Sequence, residues 1–170
     1  MTLPEDQHVV RTCMKSAVDQ KTQKPQPAAF QFRYKDDKVN ELYLSVNWLE
    51  FLGAGEADVK ARLEALRQFQ SKNEHHLPMM KLAKGQAYAV LNVGQIHAGT
   101  AEYDGTKVDL QCRHEPEEGF EHVDPHSGIT PSPGVHTWPT GEGAKDAPAH
   151  LAVQLFLYSL MGHYEPVLTA

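Results

Sequence analysis

This chain has little cysteine and no long hydrophobic run, and both shortages exclude classes of protein. Its two cysteines, Cys13 and Cys112, lie far apart and form no CxxC pair, so neither a disulfide framework nor a paired-cysteine metal anchor is present. The longest apolar stretch, residues 151–161, is much shorter than the roughly 20 residues of a membrane span. The N-terminal sequence lacks the basic and apolar segments of a signal peptide. We therefore expect a cytoplasmic protein with reduced thiols and no membrane association.

Basic side chains are scarce in the second part of the sequence. Residues 101–170 hold 3 basic and 11 acidic side chains, whereas residues 1–100 hold 13 and 11. Neutralising phosphates requires clustered Lys and Arg, so the net charge of −6 argues against a general nucleic-acid binder. Such an acidic surface suits a partner protein with a basic surface or a divalent cation, and a solvated face that serves only solubility is the alternative.

Hydrophobic periodicity predicts one α+β domain over residues 1–170. Strand patterns fall at residues 8–14, 28–34, 42–52 (either a strand alone or a strand that runs into a helical turn), 86–96 (with Gly94 as a candidate bulge), 107–112 (in a hairpin after Asp104 and Gly105) and 126–129. Helices are predicted at residues 56–71 and 148–161, and flexible loops at residues 19–27 and 131–146. This order favours a two-layer domain with a mainly antiparallel sheet and two principal helices.

The densest group of reactive side chains lies in residues 111–129, QCRHEPEEGFEHVDPHSGI. Imidazole and thiolate groups are zinc ligands, and the histidines follow Cys112 at short intervals. Pro125 excludes a helical HExxH-type pair, so a zinc site would require loops to bring its ligands together. The candidate ligands are His114, His122, His126 and His136. Exposed or turn-forming histidines are the alternative.

A second interpretation of the same stretch is acid–base catalysis. His114 follows one predicted strand and His126 begins the next, so adjacent strands would place both imidazoles over one cleft. One ring would act as base and the other as acid, and Ser127 would add a hydroxyl. This arrangement suits hydrolysis of phosphoesters or phosphoryl or nucleotidyl transfer. The structural alternative is a hydrogen-bonded turn at Asp124 and Pro125.

Two tryptophans are candidate binding residues. Trp48 belongs to an apolar block that is typical of a core, but a partly exposed Trp48 would anchor a partner. Trp138 lies among Pro, Gly and Thr, where deep burial is difficult. It either anchors a partner or holds its own loop against the sheet.

Several pieces of the chain resemble a family of small, uncharacterised bacterial proteins. The matching pieces are HVVRTC, AAFQFR, LSVNWLEFLG, AVLNVGQI, HEP followed by DPHSGI, and the closing HYEP. The resemblance implies a role that depends on partners, since such proteins are often encoded in multi-gene modules, including defence systems. No piece is a catalytic signature. The region around residues 131–145 is longer than the family pattern, and the chain has more histidines than the pattern requires.

Two hypotheses from different classes follow from the sequence. The first is a non-catalytic accessory component that binds another protein within a bacterial multi-protein system. The alternative is a small hydrolase or transferase that uses His114 and His126, with or without a metal ion such as zinc.

Overall fold

The computed structural model describes residues 1–32, 43–53, 58–73, 81–133, 139 and 146–168. Within these ranges, seven strands form one sheet and every pairing is antiparallel. The strands are β1 (His8–Cys13), β2 (Leu44–Trp48), β3 (Ala87–Asn92), β4 (Thr100–Tyr103), β5 (Thr106–His114), β6 (His126–Pro131) and β7 (His163–Pro166). The α-helices are α1 (Leu49–Leu52), α2 (Val59–Asn73), α3 (Val93–Ala98) and α4 (Pro148–Ser159).

The strand order across the sheet is β4-β5-β6-β2-β1-β3-β7, so the first two strands of the chain lie near its centre. Alternate side chains of a strand point to opposite faces. Val9 of β1 accordingly packs in the cluster that contains Ala152 and Leu157 of α4, whereas its neighbour Val10 packs with Leu63 of α2. The sheet therefore carries α4 on one face and α2 on the other. The sequence led us to expect one sheet and one helical layer, and the structure has a helix on each face of the sheet.

Helix α1 is fixed to its surroundings by the buried carboxylate of Glu50, which is 8% exposed. Its two oxygens accept hydrogen bonds from the His8 backbone N–H at 2.8 Å and from His8 Nδ1 at 2.6 Å. Arg62 Nη1 of α2 lies 3.3 Å from the same carboxylate. One acidic side chain thus joins α1 to β1 and α2.

The α+β class with an antiparallel sheet and two principal helices is confirmed. Strands at residues 8–14 and 126–129, the strand that turns into a helix at residues 42–52, the hairpin, and both long helices are also present. No helix in the described ranges has the length and apolar character that a membrane crossing requires.

Three local predictions differ from the structure. The strand predicted at residues 28–34 is wrong where the structure describes it, because Pro27–Phe30 forms a 3-10 helix with Pro27, whose fixed φ suits a helical turn, at its start. The strand predicted at residues 86–96 ends at Asn92, whose side chain caps α3 by accepting the Gln95 N–H at 2.9 Å. Gly94 therefore lies in a helix and not in a bulge. The short edge strand β7 has no counterpart among the predictions.

Candidate functional site

The histidine-rich stretch forms a connection between β5 and β6, which we call the acidic loop (residues 115–125). Asp124 organises it and is only 2% exposed. Its carboxylate accepts the backbone N–H of Glu117 at 2.8 Å and that of His126 at 3.0 Å. Bonds from N–H groups to a buried carboxylate are stronger than those to neutral acceptors. The loop is therefore held at both ends by one side chain.

His114 lies at one end of this loop in an aromatic environment. Its ring contacts Trp48 and Phe51, with centroid distances of 5.4 and 4.9 Å. A carbonyl oxygen can only accept a hydrogen bond, so Nε2 of His114 donates to the Asp124 carbonyl at 2.8 Å. Trp48 is half-buried, and its Nε1–H donates to Gln7 Oε1 at 2.6 Å. The structure thus brings His114 and Trp48 together. Their hydrogen bonds and ring contacts hold neighbouring parts of the chain in place, so both residues also have a structural role.

His126 makes a different set of contacts. Its Nδ1 donates to the Glu115 carbonyl at 2.6 Å, which fixes the proton of a neutral ring on Nδ1. Nε2 is then an acceptor, and it lies 2.9 Å from the hydroxyl oxygen of Ser45 on β2. The Tyr43 ring packs against the imidazole at a centroid distance of 5.8 Å. Because Nε2 of His126 is the acceptor, the Ser45 hydroxyl donates a hydrogen bond to it.

His114 and His126 do not share the cleft that the sequence led us to expect. His114 pairs with Ser127 across β5 and β6, so these two side chains lie on the same face of the sheet. His126 precedes Ser127 on the strand and points to the opposite face. Ser127 is buried and donates to the Pro125 carbonyl at 3.1 Å, so its hydroxyl does not join His126 either.

The remaining candidate residues are dispersed or lie outside the described ranges. His122 is exposed in the acidic loop, and His136 and Trp138 fall among residues that the structure does not describe. Within the described part of the chain, no three His, Cys, Asp or Glu side chains lie close enough to hold a metal ion. The predicted zinc ligands His114, His122 and His126 are therefore not assembled there as a set of three.

Cys112 is buried, and burial raises the pKa of its thiol to about 12. The thiol therefore remains protonated, which agrees with the interpretation of Cys112 as a small core residue. Its backbone N–H donates to Nε2 of His97 at 2.9 Å. His97 thus acts as a hydrogen-bond acceptor for a strand.

The tip of the acidic loop combines exposed apolar and acidic side chains. Phe120 and Val123 are 40% and 50% exposed. The Glu117 carbonyl accepts the Phe120 N–H at 2.9 Å, and Gly119 adopts the positive φ of 87° within this turn. Glu117, Glu118 and Glu121 are neighbours of the apolar pair in the sequence and are also exposed. Hydrogen bonding to the Gly119 backbone N–H lowers the pKa of Glu121, so this carboxylate keeps its charge into more acidic solution.

Ser45 is the residue of this region that sequence reasoning missed. The alternation of buried Leu44, exposed Ser45 and buried Val46 indicates only that Ser45 faces away from one core. Its partner is far away in the sequence, and the β2–β6 register that joins them has no local signal.

Comparison with models of protein families, with curated proteins and with solved structures gave no match. The resemblance to a bacterial family therefore remains a prediction from the sequence motifs.

Proposed function

We propose that this chain is an accessory component of a cytoplasmic multi-protein system and binds a protein partner with a basic surface through the acidic loop. The observation that carries this proposal is the loop tip, where exposed Phe120 and Val123 lie in one short segment of the chain with three exposed glutamates. Exposed apolar side chains that are rimmed by charge are typical of interaction sites. The family resemblance adds a bacterial system, including a defence system, as the setting.

The loop fits such a role because it is ordered before a partner arrives. Asp124 holds its backbone at two points, so binding would not have to order a flexible segment. Its charge also selects the partner, because residues 115–125 contain five acidic side chains and no Lys or Arg. A partner surface with an apolar pocket and a basic rim would complement the exposed apolar side chains and the negative charge of the loop.

The partner is expected among the products of genes next to the one that encodes this chain. Each product would be purified, and its affinity for the chain measured by isothermal titration calorimetry. The double variant Phe120→Ser/Val123→Ser is expected to bind about 30-fold more weakly or worse, as removal of a buried anchor does. Affinity should also fall as salt concentration rises, because the glutamates contribute electrostatically.

Leu155 provides a matched control, since it is an exposed apolar residue of α4, 45% exposed, outside the acidic loop. Leu155→Ser should bind like the unmodified chain. If no neighbouring product binds, or if Leu155→Ser reduces affinity and the loop variant does not, the acidic loop is not the docking surface.

A further inference from the structure

Beyond partner binding, we propose that Ser45 and His126 form a hydrolytic dyad that cleaves small carboxylic esters. The juxtaposition that carries this inference is a chain of three groups on the face of the sheet opposite α4. Ser45 Oγ lies 2.9 Å from Nε2 of His126, and Nδ1 of the same ring lies 2.6 Å from the Glu115 carbonyl. A nucleophile, a base and a group that orients the base are the parts of an activated serine.

The tautomer that these contacts impose is the one catalysis requires. The Glu115 carbonyl holds the ring proton on Nδ1, so the lone pair of Nε2 points to the Ser45 hydroxyl. A backbone carbonyl takes the orienting place that a carboxylate occupies in a serine–histidine–aspartate triad. It fixes the direction of the ring without placing a second charge beside it.

The position of Ser45 is fixed by the sheet. Ser45 pairs with Gly128 of β6, two residues beyond His126, so the two side chains are diagonal neighbours on one face. Arg11 bonds the Ser45 carbonyl from behind, with Nη1 at 2.8 Å, and its Nε donates to the Ala29 carbonyl at 3.1 Å. The serine therefore sits on rigid backbone, which favours a precise approach to a substrate.

The surroundings indicate a small substrate. Ser45 is exposed on its strand, so a dissolved ester reaches its hydroxyl directly. The Tyr43 ring packs over Gly128, where an added Cβ would lie 3.0 Å from Tyr43 Cδ2, and it offers an apolar surface beside the dyad. Arg113 pairs with Gly128 from the other side, in the same row as Ser45, and its guanidinium forms an ion pair with Glu115 at 3.4 Å. Esters with a compact acyl group and an aromatic part fit these features.

The reaction proceeds in two balanced steps. Ser45 Oγ attacks the ester carbonyl carbon, its proton passes to Nε2 of His126, and the leaving alcohol takes that proton as the ester bond breaks. Water then attacks the acyl-serine and gives a proton to His126. The carboxylic acid departs when this proton returns to Ser45 Oγ, which restores the dyad.

The test uses the full chain and p-nitrophenyl acetate. We expect release of p-nitrophenol and an acetyl adduct on the peptide that contains Ser45, detected by mass spectrometry. Ser45→Ala should abolish the adduct, and Ser45→Ala and His126→Gln should each lower the rate by about 100-fold or to the uncatalysed rate. Ser45→Cys should trap the acetyl group as a thioester, which tests the same position with a second nucleophile.

Two controls separate the dyad from the general reactivity of protein side chains. Ser159→Ala removes a serine hydroxyl of α4, and His163→Gln removes a partly exposed imidazole of β7; both should retain the full rate. Circular dichroism spectra of each variant would show whether it folds. Equal rates in the unmodified chain and Ser45→Ala, or an adduct on lysines and not on Ser45, would overturn the proposal. If Ser45→Ala does not fold, the location of the adduct in the unmodified chain decides.

Discussion

Replacing Glu50 with glutamine tests how much one buried carboxylate contributes to this fold. The amide can keep an oxygen toward His8 Nδ1 and Arg62, but its NH₂ group then faces the His8 backbone N–H. One charged hydrogen bond is lost, which costs about 1.5–3 kcal/mol, and the other two become weaker neutral bonds. His8 and Arg62 keep 30% and 20% of their side chains exposed, so water compensates in part. We expect a net destabilisation of about 2–3 kcal/mol.

The effect should depend on pH in a defined direction. Burial by itself raises the pKa of Glu50, but hydrogen bonds from the His8 ring and backbone N–H outweigh it and lower the pKa below its ordinary value. A carboxyl with a lowered pKa in the folded state stabilises the protein above its unfolded pKa, and this contribution is lost as the pH falls through the lowered value. The stability difference between the unmodified chain and Glu50→Gln should therefore shrink in acid.

Urea unfolding, followed by circular dichroism at neutral and acidic pH, measures the loss of unfolding free energy and its dependence on pH. Glu64→Gln is the matched control, because Glu64 also pairs with an arginine of α2 but its side chain is 53% exposed. Its loss should cost about 0–1 kcal/mol. If Glu50→Gln destabilises the chain no more than Glu64→Gln at neutral pH, the buried carboxylate does not hold α1 as we argue.

Three further perturbations test separate parts of the structure. Cys13 and Cys112 are buried with thiol pKa values raised to about 12, so they should react with Ellman's reagent only after denaturation; fast reaction of the native protein would contradict their burial. Gly99→Ala should cost about 1–3 kcal/mol in urea unfolding, because its Cβ would lie 2.5 Å from Phe156 Cζ unless the ring moves. Asp124→Asn should cost about 1–3 kcal/mol and speed amide exchange in the acidic loop, since the amide can accept only one of the two backbone N–H bonds. Unchanged exchange would show that other contacts order the loop.

The sequence predicted most elements whose pattern is local. The short apolar run at the start of the chain, the turn at Asp104 and Gly105, and the apolar stripe of α2 each identify an element without knowledge of its neighbours. The failures occurred where a local group overrides the pattern. The buried side chains of Phe30 and Phe32 do alternate as in a strand, but Pro27 starts a helical turn there.

The candidate site was less predictable because its geometry depends on register. His114 and His126 flank one loop, yet a shift of one residue decides which face each side chain occupies. Pairing of His114 with Ser127 separates the two imidazoles, and the β2–β6 register brings Ser45 to His126 across 81 positions of sequence. No periodicity in a single sequence encodes such a pairing.

The placement of β1 and β2 at the centre of the sheet has a consequence for how the chain is made. A ribosome releases these strands first, yet β1 gains its second neighbour only with β3, and β2 gains its second neighbour only with β6. Until then the nascent chain exposes apolar strands with unpaired edges, which is the state that chaperones bind and that aggregates most readily. We expect the sheet to close only after most of the chain has been synthesised.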